Sequence, residues 1–210
     1  MLELVISRYN EDLTWLRDLP GTQSDVCAKV YNKGHPLPPT FVGVTELPNV
    51  GREAHTYLHH IIENYETLAD YTVFLQGRPF DHCPDLMERL HRYEEQLRFG
   101  LVPLEDFIPL GHHCTCDAIG MPQHQLPIAQ TYRILFNELN TPHSFTFVVG
   151  AQFVVSRKAI QSRSHLFYRR AIEMVNKDRG ATINGRNDGL TWGAHIMERM
   201  WRYVFNVETL

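Results

Sequence analysis

Apolar positions along the chain come in two rhythms, short unbroken runs and longer stretches that recur at helical spacing. Residues 2–7 form a run of the first kind that opens on Arg8-Tyr9-Asn10-Glu11-Asp12, and residues 26–31 form a second that ends in Asn32-Lys33-Gly34. Residues 41–47 predict a third strand. Leu13, Trp15, Leu16 and Leu19 predict a short helix closed by Pro20-Gly21. Asn49-Val50-Gly51 is turn chemistry, with Asn49 a candidate N-cap and Glu53 in the first helical turn. Ala54, Tyr57, Leu58, Ile61, Ile62 and Tyr65 then mark one apolar face of a helix over 52–65. Residues 71–76 are too short and too apolar for an exposed helix and read as a buried strand. A helix over 84–99, a long loop over 101–126 and a helix over 127–139 follow. A strand region over 145–156 is interrupted at Gly150-Ala151, where a bend or a close ligand approach is expected. Ile160, Phe167, Tyr168, Ala171, Ile172 and Val175 define another helix face, residues 179–189 a glycine-rich loop, and 191–205 the last helix.

This order predicts an α/β fold with a mainly parallel sheet flanked by helices. Parallel strands put their carboxyl ends on one edge, so the polar turns after residues 7, 31 and 75 should converge there. Arg8, Asn10, Lys33, Gln76, Gly77 and Arg78 lie in those turns. Asn49, Gly51, Arg52 and His55 lie at the start of the 52–65 helix, whose free backbone N–H groups and dipole suit a phosphorylated ligand. Taken singly, each of these residues is equally a solvated turn residue or a helix cap.

At 210 residues the chain is expected to be one domain, and 43% apolar residues suffice for a core. A net charge of −4 gives no general attraction to nucleic acid or anionic membrane. No segment approaches the roughly 20 apolar residues of a membrane span. The N-terminus lacks the basic region and cleavage site of a signal peptide, so a cytoplasmic location is expected. Four cysteines do not make a disulfide framework, and Cys27, in a strand-like run, is expected to be buried. His112, His113, Cys114 and Cys116 offer zinc ligands, although packed more closely than in a usual structural finger. His55 and His59 have a zinc-compatible spacing but no further ligands nearby, and a solvated helix face is the default.

RYNEDLTWL, VYNKG, LPNVGREAHTYLHHIIENY, TVFLQGRPFDH, GAQFVVSR, FYRRAI and ERMW stand in this order along almost the whole chain. Together they resemble a family of small proteins of the glycosyltransferase-A type and are similar to a domain of a chlorovirus-encoded glycosyltransferase. The resemblance implies a Rossmann-like nucleotide-sugar fold, with residues 1–100 as the donor half and 101–210 as the acceptor half. It implies a nucleoside-diphosphate sugar donor, in particular a uridine diphosphate sugar, a glycan or glycoprotein hydroxyl as acceptor, and often Mn²⁺ or Mg²⁺. The slot where such enzymes usually carry Asp-x-Asp reads Gln76-Gly77-Arg78 here. Either Asp81 and His82 hold the cation, or Arg78, Lys33 and Arg52 neutralise the diphosphate without one. Asp117 and Glu198 are the candidates for the base that deprotonates the acceptor, with Asp188 a third. Glu198 could instead pair with Arg202 one helical turn on, or with a surface arginine, the ordinary role of a helix glutamate. Trp192 is expected in the core with Trp201, stacking on a sugar at the loop–helix junction being its alternative. A catalytically inactive nucleotide-sugar-binding module and a zinc-binding protein built on His112 to Cys116 are the alternative readings.

Overall fold

Leu2, Leu4, Val5 and Ile6 are completely buried, and the strand that carries them, β1 (Leu2–Arg8), lies inside the sheet with a parallel neighbour on each side. A computed structural model describes residues 1–19, 26–41, 43–100, 103–121, 126–177 and 192–205. Around β1 are β2 (Val26–Asn32), β3 (Val44–Glu46), β4 (Tyr71–Gln76), β5 (Phe107–Pro109) and β8 (Phe153–Ser156), in the order β3-β2-β1-β4-β8-β5. The β3–β2, β2–β1 and β1–β4 pairings are parallel, while β8 runs antiparallel to both β4 and β5. A two-stranded antiparallel sheet, β6 (His113–Asp117) with β7 (Ser144–Val148), stands apart. The helices are α1 (Arg52–Glu63), α2 (Leu86–Phe99), α3 (Ile128–Phe136), α4 (Arg157–Gln161), α5 (His165–Lys177) and α6 (Trp192–Val204).

Alternation along β1 divides the core in two. Leu2, Leu4 and Ile6 join Val73, Leu75, Leu86, Leu90 and Tyr93 on the α2 side. Val5 joins Tyr57, Leu58, Phe74, Phe153, Tyr168 and Trp201 beneath α1, α5 and α6. Burial on both faces explains why β1 and β4 read as continuous apolar runs rather than alternating ones. The architecture is α/β with a mostly parallel central sheet and is compatible with a Rossmann-like arrangement. Among the described residues no helix is long and apolar enough to cross a membrane.

Several expectations need correction. The 101–126 stretch contains β6, which pairs with β7 across the chain and so carries little local signal. Residues 145–156 serve two sheets, because Gly150 (φ 79°) and Ala151 (φ 51°) turn the chain from β7 into β8. The expected short helix is present and is of 3-10 type, over Thr14–Asp18. Cys27 is exposed, since the three-residue β3 pairs only with Val30–Asn32 and leaves the start of β2 as an edge. His55 is buried, not solvated. The 179–189 loop and Asp188 lie outside the described residues.

Candidate functional site

Parallel pairing in register brings three strand ends together. Arg8 stands opposite Asn32, and Ser7 stands between Tyr31 and Gln76. At this carboxyl edge opens a cleft of about 400 Å³. Arg8, Lys33, Asn49, Gly51, Arg52 and Gln76 line it, as the sequence led us to expect. Ser7, Tyr9, Glu11 and Glu53 line it too, and were not singled out.

Two buried cations form the charged part of this wall. The Arg8 guanidinium donates to the carbonyls of Glu11 (2.9 Å), Tyr9 (3.2 Å) and His35 (2.8 Å) and to Asn32 Oδ1 (2.6 Å). Lys33 Nζ donates to the Val50 carbonyl at 2.8 Å and to the Arg52 carbonyl. All these acceptors are neutral. Among the described residues no carboxylate comes within ion-pair distance of either cation. Burial pushes the Lys33 ammonium down to about 7, with the field of Glu53 pulling the other way. Burial likewise pushes the Glu53 carboxyl up, opposed by Arg52, whose Nε lies 3.5 Å away.

The start of α1 completes the wall. Gly51 (φ 59°) and Arg52 (φ 47°) both take left-handed backbone, and no side chain caps the helix. At 51 only glycine fits, because a Cβ would lie 2.3 Å from Val175 Cγ1 of α5. Asn49 is therefore a residue of the cleft rather than the cap. Left-handed backbone at a non-glycine residue is a strain that persists where the surroundings impose it, and such positions cluster at functional sites.

Other predicted residues have supporting places. Asn10 Oδ1 accepts the His35 N–H at 2.9 Å and fixes the turn after β2. Gly77 lies against Glu11, where a Cβ would stand 2.7 Å from Oε2. His55 packs on α1, its ring stacked 6.2 Å from His59. Arg78 is exposed and pairs with Asp81 at 3.2 Å, on the surface after β4. The His82 imidazole lies over Gly150, close enough that a Cβ there would be 2.3 Å from its Cδ2. Asp81 and His82 offer a cation one carboxylate and one imidazole. A hard divalent cation takes several oxygen ligands, so water or substrate oxygens would have to complete a site beside the Asp81 carboxylate, which Arg78 already meets. No group of three or more His, Cys, Asp or Glu suited to a metal occurs among the described residues.

The acceptor-side candidates separate. Asp117 pairs with Ser144, at the opposite end of the β6–β7 ladder from His113 and Val148, roughly 13 Å along the strand. Its Oδ1 accepts the Ile119 and Met121 N–H groups at 3.0 and 2.8 Å, so it organises the following turn. Glu198 is closer to the strand ends. Its Oε1 accepts the Gly150 N–H at 2.9 Å and its Oε2 accepts from the buried Arg199 at 2.6 Å, in place of the expected partner Arg202. The field of Glu198 also reaches Glu53. Strand alternation divides the zinc candidates between two faces: Cys116 is buried and Cys114 half-buried, whereas His113, Thr115 and Asp117 are exposed on the other face. Trp192 is half-buried against the α-helical core, not open on the cleft.

The missed residues share one cause. Glu53 was legible only as a first-turn acid favoured by the helix dipole, and Glu11 only as part of a polar turn. Their position in a cleft depends on β1, β2 and α1 meeting. The nearest available signal was the RYNED cluster itself, which carries Tyr9 and Glu11 beside the predicted Arg8 and Asn10.

No curated protein and no solved structure matches the chain. The model of the family described as "Protein of unknown function (DUF3431)" matches residues 4–210, and the chain belongs to that family.

Proposed function

We propose that this protein is a glycosyltransferase of the glycosyltransferase-A type. In this reading it moves a sugar from a nucleoside-diphosphate sugar, a uridine diphosphate sugar in the first instance, to a hydroxyl of a glycan or glycoprotein. The observation that carries the reading is the pair of buried basic side chains, Arg8 and Lys33, which among the described residues are held by neutral oxygens alone, beside the uncapped start of α1. Such an arrangement attracts a polyanion, because dipoles that satisfy hydrogen bonding leave the charge itself uncompensated. Tyr9, 51% exposed on the cleft wall, offers a flat ring on which a base can stack. Displacement at the anomeric carbon needs its leaving diphosphate stabilised, and preorganised donors aimed at developing charge supply that. Here Arg8, Lys33 and the α1 N–H groups fill that role.

A thermal-shift screen of nucleotide sugars, with and without manganese, tests donor binding, since a ligand of the native state raises the transition temperature. Uridine diphosphate sugars should stabilise the protein, and uridine diphosphate should be released when acceptor is present. Stabilisation by no nucleotide sugar would sink the reading. A second reading is a nucleotide-sugar-binding module without activity. It is favoured by the carboxylates of Asp117 and Glu198, both already occupied by the protein's own N–H groups or by Arg199. Binding without diphosphate release across a donor and acceptor panel would select it.

A further inference from the structure

We propose that Lys33 takes up a proton as a diphosphate-type polyanion enters the cleft, so that the ligand supplies the countercharge the fold withholds. The inference rests on the reading of the cleft as a diphosphate site. Lys33 is 8% exposed, and among the described residues its Nζ bonds only to the Val50 and Arg52 carbonyls. The charged and titratable groups around it are Arg8 and Glu11 from the end of β1 and the turn after it, and Arg52, Glu53 and His59 from α1. Glu11 is engaged elsewhere, accepting the Tyr9 N–H at 2.6 Å. Glu53 favours the ammonium, but it is buried and beside Arg52. Burial, opposed by the field of Glu53, leaves the lysine at about 7, largely neutral at mildly alkaline pH. An anion placed beside it removes the imbalance and restores the charged form.

Proton linkage then acts as a charge filter. A neutral ligand of the same shape gains nothing from Lys33, whereas a phosphate oxygen gains a charge-assisted hydrogen bond. The ammonium left in place is also the state that best stabilises a departing diphosphate.

Titration calorimetry of the full chain with uridine diphosphate, and separately with adenosine diphosphate, tests this at pH 8 in buffers of different ionisation enthalpy. Terminal phosphates lose their last proton near pH 6, so both ligands are ionised and any proton taken up belongs to the protein. With Lys33 at about 7, roughly 0.9 proton should be taken up per nucleotide at pH 8, falling to about half a proton at pH 7. Lys33→Arg, which stays charged at every working pH, should bind with no dependence on buffer. Binding by the wild type without buffer dependence at pH 8 overturns the inference, and so does an undiminished dependence in Lys33→Arg. Should that variant not fold, the wild-type values at the two pH settings decide alone. Proton-linked binding with no turnover of any sugar donor would reject the transferase and leave the inference standing. Binding of neither nucleotide rejects both.

Discussion

Burial holds the Lys33 ammonium well below its ordinary range, and that costs the free protein stability. Its folded value of about 7 lies below its ordinary 10.5, so the unfolded chain binds the proton more readily. The cost is therefore complete below pH 7 and fades as the pH rises from about 7 toward 10.5. Lys33→Met should raise the denaturation midpoint of the free protein at pH 7 while weakening nucleotide binding at least tenfold. It should also abolish the rise in stability that the wild type shows between pH 7 and 8.5. A wild type whose stability is flat over that window would contradict the assignment. A residue that destabilises the fold in this way is typical of a site kept for binding rather than for stability.

At the scale of elements, the turn at Val149–Ala151 and helix α6 are joined through one carboxylate. Glu198 accepts from the Gly150 N–H and from Arg199, which is 3% exposed and lies 4.5 Å over the Phe147 ring. Removing Glu198 leaves both a backbone donor and a buried guanidinium without their partner. Glu198→Ala should therefore cost about 3–5 kcal/mol of stability, the range for breaking a buried charge pair. Urea denaturation measures it, and a loss under 1 kcal/mol would show that Arg199 finds another partner. The sequence-based alternative, an exposed pair with Arg202, would have been worth only a few tenths of a kcal/mol. The magnitude thus separates the two positions of this glutamate.

The whole molecule depends on a second buried charge cluster, at the end of the sheet away from the cleft. Glu3 of β1 lies 3.0 Å from Lys29 of β2 and 3.2 Å from His60 of α1, and the Tyr31 hydroxyl is 3.0 Å from His60 Nδ1. These contacts tie the sheet to α1. Burial alone would raise the Glu3 carboxyl, but the hydrogen bonds of His60 and Lys29 outweigh it and hold it below 4.5. Burial holds His60 below 6.5, against the pull of Glu3. Both shifts favour the less protonated group in the fold. His60 begins to cost stability as the pH falls below 6.5, and Glu3 adds to that below 4.5 as its own contribution is lost. The denaturation midpoint should fall between pH 7 and 5 and more steeply below 4.5. Glu3→Gln should start less stable at pH 7 and lose less on acidification. A midpoint unchanged between pH 7 and 4 would remove this cluster from the account.

Local spacing was enough to read β1, β4 and α1, because burial on two faces or on one helical stripe writes itself into neighbouring residues. The polar turns at Arg8, Lys33 and Gln76 were legible for the same reason, and with them one wall of the cleft. Pairing partners distant in sequence were not legible. Gly150 and Glu198 are 48 positions apart, and Arg8 and His35 are 27 apart. The antiparallel entry of β8, the split of residues 145–156 between two sheets, and the inward face of Cys114 and Cys116 all belong to that class. The burial of Glu53 does too, since it arises only where α1 closes over the strand ends. Sequence alone determined which segments form elements and where their polar ends fall, because those follow from backbone geometry and adjacent side chains. Tertiary structure decided which of the polar residues keep an uncompensated charge, because desolvation and countercharge depend on everything packed around a group.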